Sequence, residues 1–130
     1  MGDVMSFYIS AEQIGDVAVL QCAGRVAGPE SLAALKKAVT SLSQLRVIVL
    51  DLSSVEMVDA RGLGMLVFLH NWARAAGSQV KLVNPSRLVR AMLEVTGLTS
   101  VLQVSSVNDL IEMFCTSHHA AIEQAHRAVA

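Results

Sequence analysis

One stretch sets the order of the chain: Arg46-Val47-Ile48-Val49-Leu50-Asp51-Leu52, then Ser53-Ser54-Val55-Glu56-Met57-Val58, then Asp59-Ala60-Arg61-Gly62-Leu63-Gly64-Met65-Leu66-Val67-Phe68-Leu69. The first segment is apolar and mostly β-branched without alternation, the pattern of a strand buried on both faces. The second is short and polar and predicts a loop. The third is apolar nearly all round and runs on to Ala76-Gly77. It predicts a buried helix closed by Gly77. Asp59 stands at the join, where a side-chain oxygen can cap free backbone N–H groups. A helix N-terminus carries partial positive charge and unpaired donors, so this corner suits an anion.

Upstream, Phe7, Ile9 and Ala11 alternate with Tyr8 and Ser10, which predicts a half-exposed strand over Met5 to Ile14. Gly15-Asp16 predicts a tight turn and Val17 to Cys22 a strand paired back on the first. Gly24 to Gly28 reads as a loop, and Pro29 suits the first turn of a helix with Leu32, Leu35, Val39 and Leu42 on one face. Downstream, Val80 to Val83 predicts a strand. Ser86 starts a helix with Leu88, Ala91, Met92 and Val95 on one stripe, ended by Gly97. Val101 to Val104 predicts a short last strand. Ser106-Val107-Asn108-Asp109 resembles a capping box, opening a helix through Leu110, Ile111 and Phe114 towards Ala125. Strands alternating with helices from residue 17 on imply parallel strands joined by crossover helices. The expected fold is α/β: a mixed five-stranded sheet with a leading antiparallel hairpin and four helices.

The composition narrows the function. The chain has 130 residues, 53% hydrophobic and 16% charged, with a formal net charge of -1. It is expected to form a single domain with a real core. With no Lys/Arg run, nucleic acid and an anionic membrane surface are not expected partners. The longest apolar run, Gly62 to Leu69, is far shorter than the ~20 residues that span a bilayer. Met1-Gly2-Asp3-Val4 lacks a basic region followed by an apolar core, so no signal peptide is expected. Cys22 and Cys115 then read as buried thiols in a reducing cytosol.

Asp51-Leu52-Ser53 followed by Asp59-Ala60-Arg61-Gly62-Leu63-Gly64 resembles the signature of STAS domains, the group named for sulfate transporters and anti-sigma factor antagonists. In its phosphorylated members the signature reads Asp-Ser-(small or Arg)-Gly-Leu-Gly, and the serine takes phosphate from a partner kinase. Here that position is Ala60, which has no hydroxyl. The resemblance covers about residues 5–115, an ordinary domain, with 116–130 left as a C-terminal helical extension. It implies the STAS fold and a non-enzymatic regulator in the bacterial cytoplasm, docking on a kinase-type anti-sigma factor to free a sigma factor and so regulate transcription. Phosphorylation at the helix N-terminus would add about two negative charges and break that contact. Without the serine, the resemblance implies binding free of this control, or a scaffold in a larger signalling assembly. The partner-binding set would be Asp59, Arg61, Gly62 and Met65 around the phosphosite-equivalent Ala60, with Asp51, Ser53 and Ser54 on the supporting loop. A STAS subunit docked on a transporter and a nucleotide- or small-ligand-binding module stand as alternatives. No cofactor is implied, and homo-oligomerisation is left open.

The chemistry-bearing residues agree with a binding module. Asp51 and Asp59 form a tempting carboxylate pair, yet no His, Cys or Lys lies nearby in sequence to complete a catalytic set. They read as a strand end and a helix cap. Ser53 and Ser54 are either substitute phosphoacceptors or ordinary turn residues, and the turn reading is preferred. Arg61 opposes the helix dipole by a few tenths of a kcal/mol; it is either a partner contact or a solvated charge. His118, His119 and His126 lack the spacing and the further ligands of a metal site, and none is expected. Gly24 to Gly28 lacks the third Gly and the Lys-Ser/Thr of a phosphate-binding loop. Met65, Phe68, Leu69 and Trp72 form a second stripe on the central helix, covered by the C-terminal helix or exposed as a contact surface, with cover preferred.

Overall fold

The computed structural model describes residues 7–105 and residue 112. Strands β1 (Phe7–Ile14) and β2 (Val17–Val26) lead to helix α1 (Pro29–Thr40). Strand β3 (Val47–Val58), helix α2 (Ala60–Ala75), strand β4 (Gln79–Val83) and helix α3 (Arg87–Val95) follow. A 3-10 turn (Leu98–Ser100) then leads to β5 (Gln103–Ser105). The sheet has five strands in the order β1-β2-β3-β4-β5. The β1–β2 pair is antiparallel and the other three pairs are parallel. The expected mixed sheet and leading hairpin are therefore present.

Val47, Ile48, Val49 and Leu50 are buried at 1% exposure or less, so the central strand is covered on both faces. Alternate residues feed two clusters. Ile48 and Leu50 join Ala18, Leu20, Cys22 and Leu82 beneath Leu35 and Val39 of α1, Leu66 and Leu69 of α2, and Val89 and Leu93 of α3. Val47 and Val49 join Val17 and Val83 on the opposite face. The three helices thus pack on one face of the sheet, as parallel crossovers along a single direction require.

Short contacts fix the edges of this arrangement. The Asp16 carbonyl in the hairpin turn accepts the N–H of Arg46 at 2.9 Å and of Val47 at 3.3 Å, which holds the start of β3 against the hairpin. The Arg46 guanidinium donates to the Asp16 carboxylate at 2.8 Å. That hydrogen bond holds the Asp16 carboxyl below its ordinary value against the opposing effect of burial, with a lesser contribution from the Arg46 charge. Its stabilisation is present above the ordinary carboxylate pKa and lost as pH falls through the lowered folded value. Both side chains are half exposed, so the contribution is small. Gly77 has φ 80° and closes α2 in a conformation that side chains with a Cβ disfavour. Ser78, buried at the start of β4, donates its hydroxyl to the Leu45 carbonyl.

Several expectations change. β2 runs on to Val26, so the expected loop from Gly24 begins as strand. β3 runs on to Val58, so Ser53 to Val58 form a strand and not a loop. Two register shifts against β2 explain the misleading pattern: Gln21 and Ala23 face Asp51 and Ser54, and Gly24 and Arg25 face Val55 and Met57. At each, β3 carries one extra residue, a bulge that breaks the alternation. α3 buries Val89 and Leu93, with Met92 half-buried, and turns Leu88, Ala91 and Val95 of the expected stripe outward. In α2, Leu69 lies in the core and Phe68 is exposed. The last strand begins at Gln103 and not Val101. The described residues hold three α-helices where four were expected. The start of the first expected strand, the capping box at Ser106 and the helix from Leu110 on lie outside the described residues, apart from Glu112, which is helical.

The Ser86 hydroxyl accepts the N–H of Val89 at 3.4 Å as the cap of α3 and donates to the Val55 carbonyl of β3 at 2.9 Å. Ser86→Ala removes both bonds. A loss of about 1–2 kcal/mol is expected in a chemical melt. Ser86→Thr, which keeps the hydroxyl, should lie nearer the parent protein.

Candidate functional site

The carbonyl ends of β2 and β3 meet the first turn of α2, and this corner holds the residues singled out from the sequence. Asp59 caps α2: its Oδ1 accepts the N–H of Gly62 at 2.8 Å. Its own N–H donates to the Val26 carbonyl at 3.4 Å, and its carbonyl accepts the N–H of Leu63 at 2.9 Å. This carboxylate is committed to the helix end. Ala60 and Arg61 follow in the first turn, both exposed. That turn holds no acidic residue. Gly62 is buried, and a Cβ built there would lie 2.3 Å from the Val26 carbonyl oxygen and 2.7 Å from a Val58 methyl. Only glycine lets the helix approach the sheet so closely. Met65 is partly buried against the core.

Around this corner the surface is mixed. Met57 is 36% exposed near the end of β3, and the exposed Arg25 is its register partner on β2. One turn beyond Met65, Phe68 is 43% exposed. The Lys36 ammonium of α1 lies 5.0 Å from its ring centroid, an exposed cation–π contact of about 0.5–1 kcal/mol. Arg25 and Met57 escaped sequence reasoning because both lay on segments read as loop. No signal short of the bulged register would have paired them.

Asp51, Ser53 and Ser54 belong to a different place. Asp51 is half-buried, and its Oδ1 accepts the N–H of Ser53 at 3.0 Å. The three line an open groove of about 280 Å³ with Tyr8, Ser10 and Gln21. Residues 59–62 do not line it, and Ser53 stands roughly 20 Å along the strand from Ala60. The supporting loop expected from the sequence is thus a length of strand. Cys22, buried on β2, donates weakly to the Leu20 carbonyl at 3.8 Å. Burial, reinforced by the Asp51 carboxylate, pushes its thiol up to about 12. No group of three or more His, Cys, Asp or Glu residues stands together as a metal site among the described residues. The three C-terminal histidines and Cys115 lie outside them. No helix among the described residues is long and apolar enough to cross a membrane.

A five-stranded sheet opening with a hairpin, with three helices on one face and a capped helix N-terminus at its corner, defines the class. The STAS domain model matches residues 8–120, and the chain belongs to the STAS domain family. No curated protein sequence matches it. An anti-sigma factor antagonist from Mycobacterium paratuberculosis superposes with a TM-score of 0.71 at 20% identity, over 84% of this chain and 94% of that one. A putative anti-sigma factor antagonist from Thermotoga maritima gives 0.65 at 22% identity, over 82% and 93%. The murine solute carrier 26 family member A9 anion transporter gives 0.64 at 19% identity, over 81% of this chain and 18% of the transporter. At these identities the likeness is one of fold.

The two glycines of the first turns of α2 should respond oppositely to alanine. Gly62→Ala meets backbone and should cost about 2–3 kcal/mol. Gly64 has nothing within 4 Å of a built Cβ, so Gly64→Ala should add up to ~1 kcal/mol of stability. Thermal melts of the two variants decide it.

Cys22 should not react with a thiol reagent at pH 8 in the folded protein, measured in a Cys115→Ser background. It should react at once in denaturant. Because the folded thiol value is raised to about 12 from 9.0, stability should fall as pH rises through that window, where the unfolded chain alone loses the proton.

Proposed function

We propose that this chain is a non-enzymatic protein-binding regulator, similar in action to an anti-sigma factor antagonist. The partner meets it at the α2 corner, through Ala60 and Arg61 with Met57 and Arg25 beside them. The observation that carries the reading is the state of this corner. Its backbone is locked by the Asp59 cap and the Gly62 contact, and its outer surface is free. A preformed, rigid surface with its carboxylate already engaged suits docking better than acid–base chemistry. The partner class is a kinase-type anti-sigma factor in a bacterial cytoplasm. Residue 60 carries no hydroxyl, so docking is not switched off by phosphate there. Ser53 and Ser54, in the groove some distance away, do not replace it. A second reading, docking of the domain on a membrane transporter, draws on the fold shared with part of the murine anion transporter.

The test uses the partner recovered from the source cell. Ala60→Asp should keep its melting temperature within a few degrees, because a carboxylate in the first turn is favoured by ~0.3–1 kcal/mol. A charge left unpaired and desolvated in the contact should lower affinity at least about tenfold in calorimetric titration. Unchanged affinity in the folded variant would remove the α2 corner as the docking surface. A permease in the same pull-down would favour the transporter reading.

A further inference from the structure

Helix α3 has two apolar faces, and among the described residues only one is buried. Val89 and Leu93 are fully buried. Leu88, Ala91, Met92 and Val95 form a second stripe, in which Leu88 is 54% and Val95 87% exposed. A depression of about 260 Å³ lies at Ala91, Met92, Val95 and Thr96. Arg87, Arg90 and Glu94 are exposed and follow one edge of this stripe at helical spacing. Two arginines in the first half of α3 oppose its dipole, and only Arg90 has an opposite charge one turn on, at Glu94.

We propose that this face pairs with the same face of a second copy, the two α3 helices running antiparallel about a two-fold axis near Ala91. A two-fold interface must be self-complementary: whatever one copy presents, the other must accept. The stripe meets that condition in three ways. Leu88 projects at one end, and the depression around Ala91 to Thr96 lies at the other, so each copy's Leu88 faces the other's depression. Ala91, the smallest side chain of the stripe, falls where the helices come closest. Arg87 and Arg90 of each copy come alongside Glu94 of the other, and the antiparallel dipoles set each positive helix end by a negative one. A protein of unrelated sequence would need none of this internal matching. The stripe from Leu88 to Val95 is only about 10 Å long, so the area that it can bury falls well short of the ~800 Å² per partner of a standard interface. The association is therefore weak and concentration-dependent.

Sedimentation velocity of the full chain tests it, from about 10 µM to about 1 mM. The expected result is a monomer that passes towards a dimer as concentration rises. Val95→Glu places a charge at an almost fully exposed position and leaves folding intact by circular dichroism, while the association constant falls at least about tenfold. Arg87→Glu alone should weaken the dimer, and exchanging the whole charged edge, Arg87→Glu and Arg90→Glu with Glu94→Arg, should restore it. A monomer throughout, the result if the face serves a different protein, would overturn the proposal. So would a dimer indifferent to Val95→Glu. A full exchange that fails to restore pairing would overturn the antiparallel arrangement.

Discussion

Burial of Val47 to Leu50 on both faces is the constraint on which the rest depends. A strand without a wet face must have neighbours on both edges and a layer above and below. Its edges are taken by β2 and β4, both parallel to it, and parallel neighbours require crossovers. α1 and α2 are those crossovers, and their apolar faces close one side of the sheet. The hairpin then has one remaining job, to continue the sheet beyond β2. Its turn also reaches back through the Asp16 carbonyl to fix the start of β3. Three short structural devices at the opposite, carbonyl end complete the arrangement: the Asp59 cap, the Gly62 contact and the Ser86 bridge to Val55. Each joins a helix start to the end of a strand.

The corner that results is rigid because its polar groups are used internally. One oxygen of Asp59 is taken by the Gly62 N–H, and Gly62 cannot retreat without opening a gap at Val26 and Val58. What remains outward is small, cationic and apolar: Ala60, the two arginines and Met57. If the partner docks there as proposed, it would have to bring its own shape and negative charge. The groove at Asp51 and Ser53 is separate from this corner, and the outer stripe of α3 belongs to another helix, so the domain offers more than one surface for contact.

The sequence was most readable where one force dominated. The run from Val47 to Leu50 has a single physical explanation, and so does an aspartate between an apolar strand and an apolar helix. It was least readable where two explanations had equal support. Ser53-Ser54-Val55-Glu56-Met57-Val58 looks like a loop because neither period is present, and the cause is two bulges that only pairing with β2 makes visible. In α3, Leu88-Ala91-Met92-Val95 and Val89-Met92-Leu93 are both apolar stripes, and the sheet chooses between them. The role of Gly62 was carried by the family pattern alone, since a close approach leaves no mark in hydrophobicity. Met57 and Arg25 were invisible for the same reason as the bulges.

The two bulges in β3 change the spacing of its buried residues. From Gln21 to Val26 the chain of β2 takes five steps, 26 minus 21, while the paired length of β3 from Asp51 to Val58 takes seven, 58 minus 51. The core-facing residues of β3 therefore step from Leu52 to Val55 to Val58 in threes, where an unbroken strand steps in twos. Each bulge absorbs its own extra residue and returns the chain to the same face. Natural variation that removes one residue at a bulge should shorten β3 by one position without turning the residues after it outward.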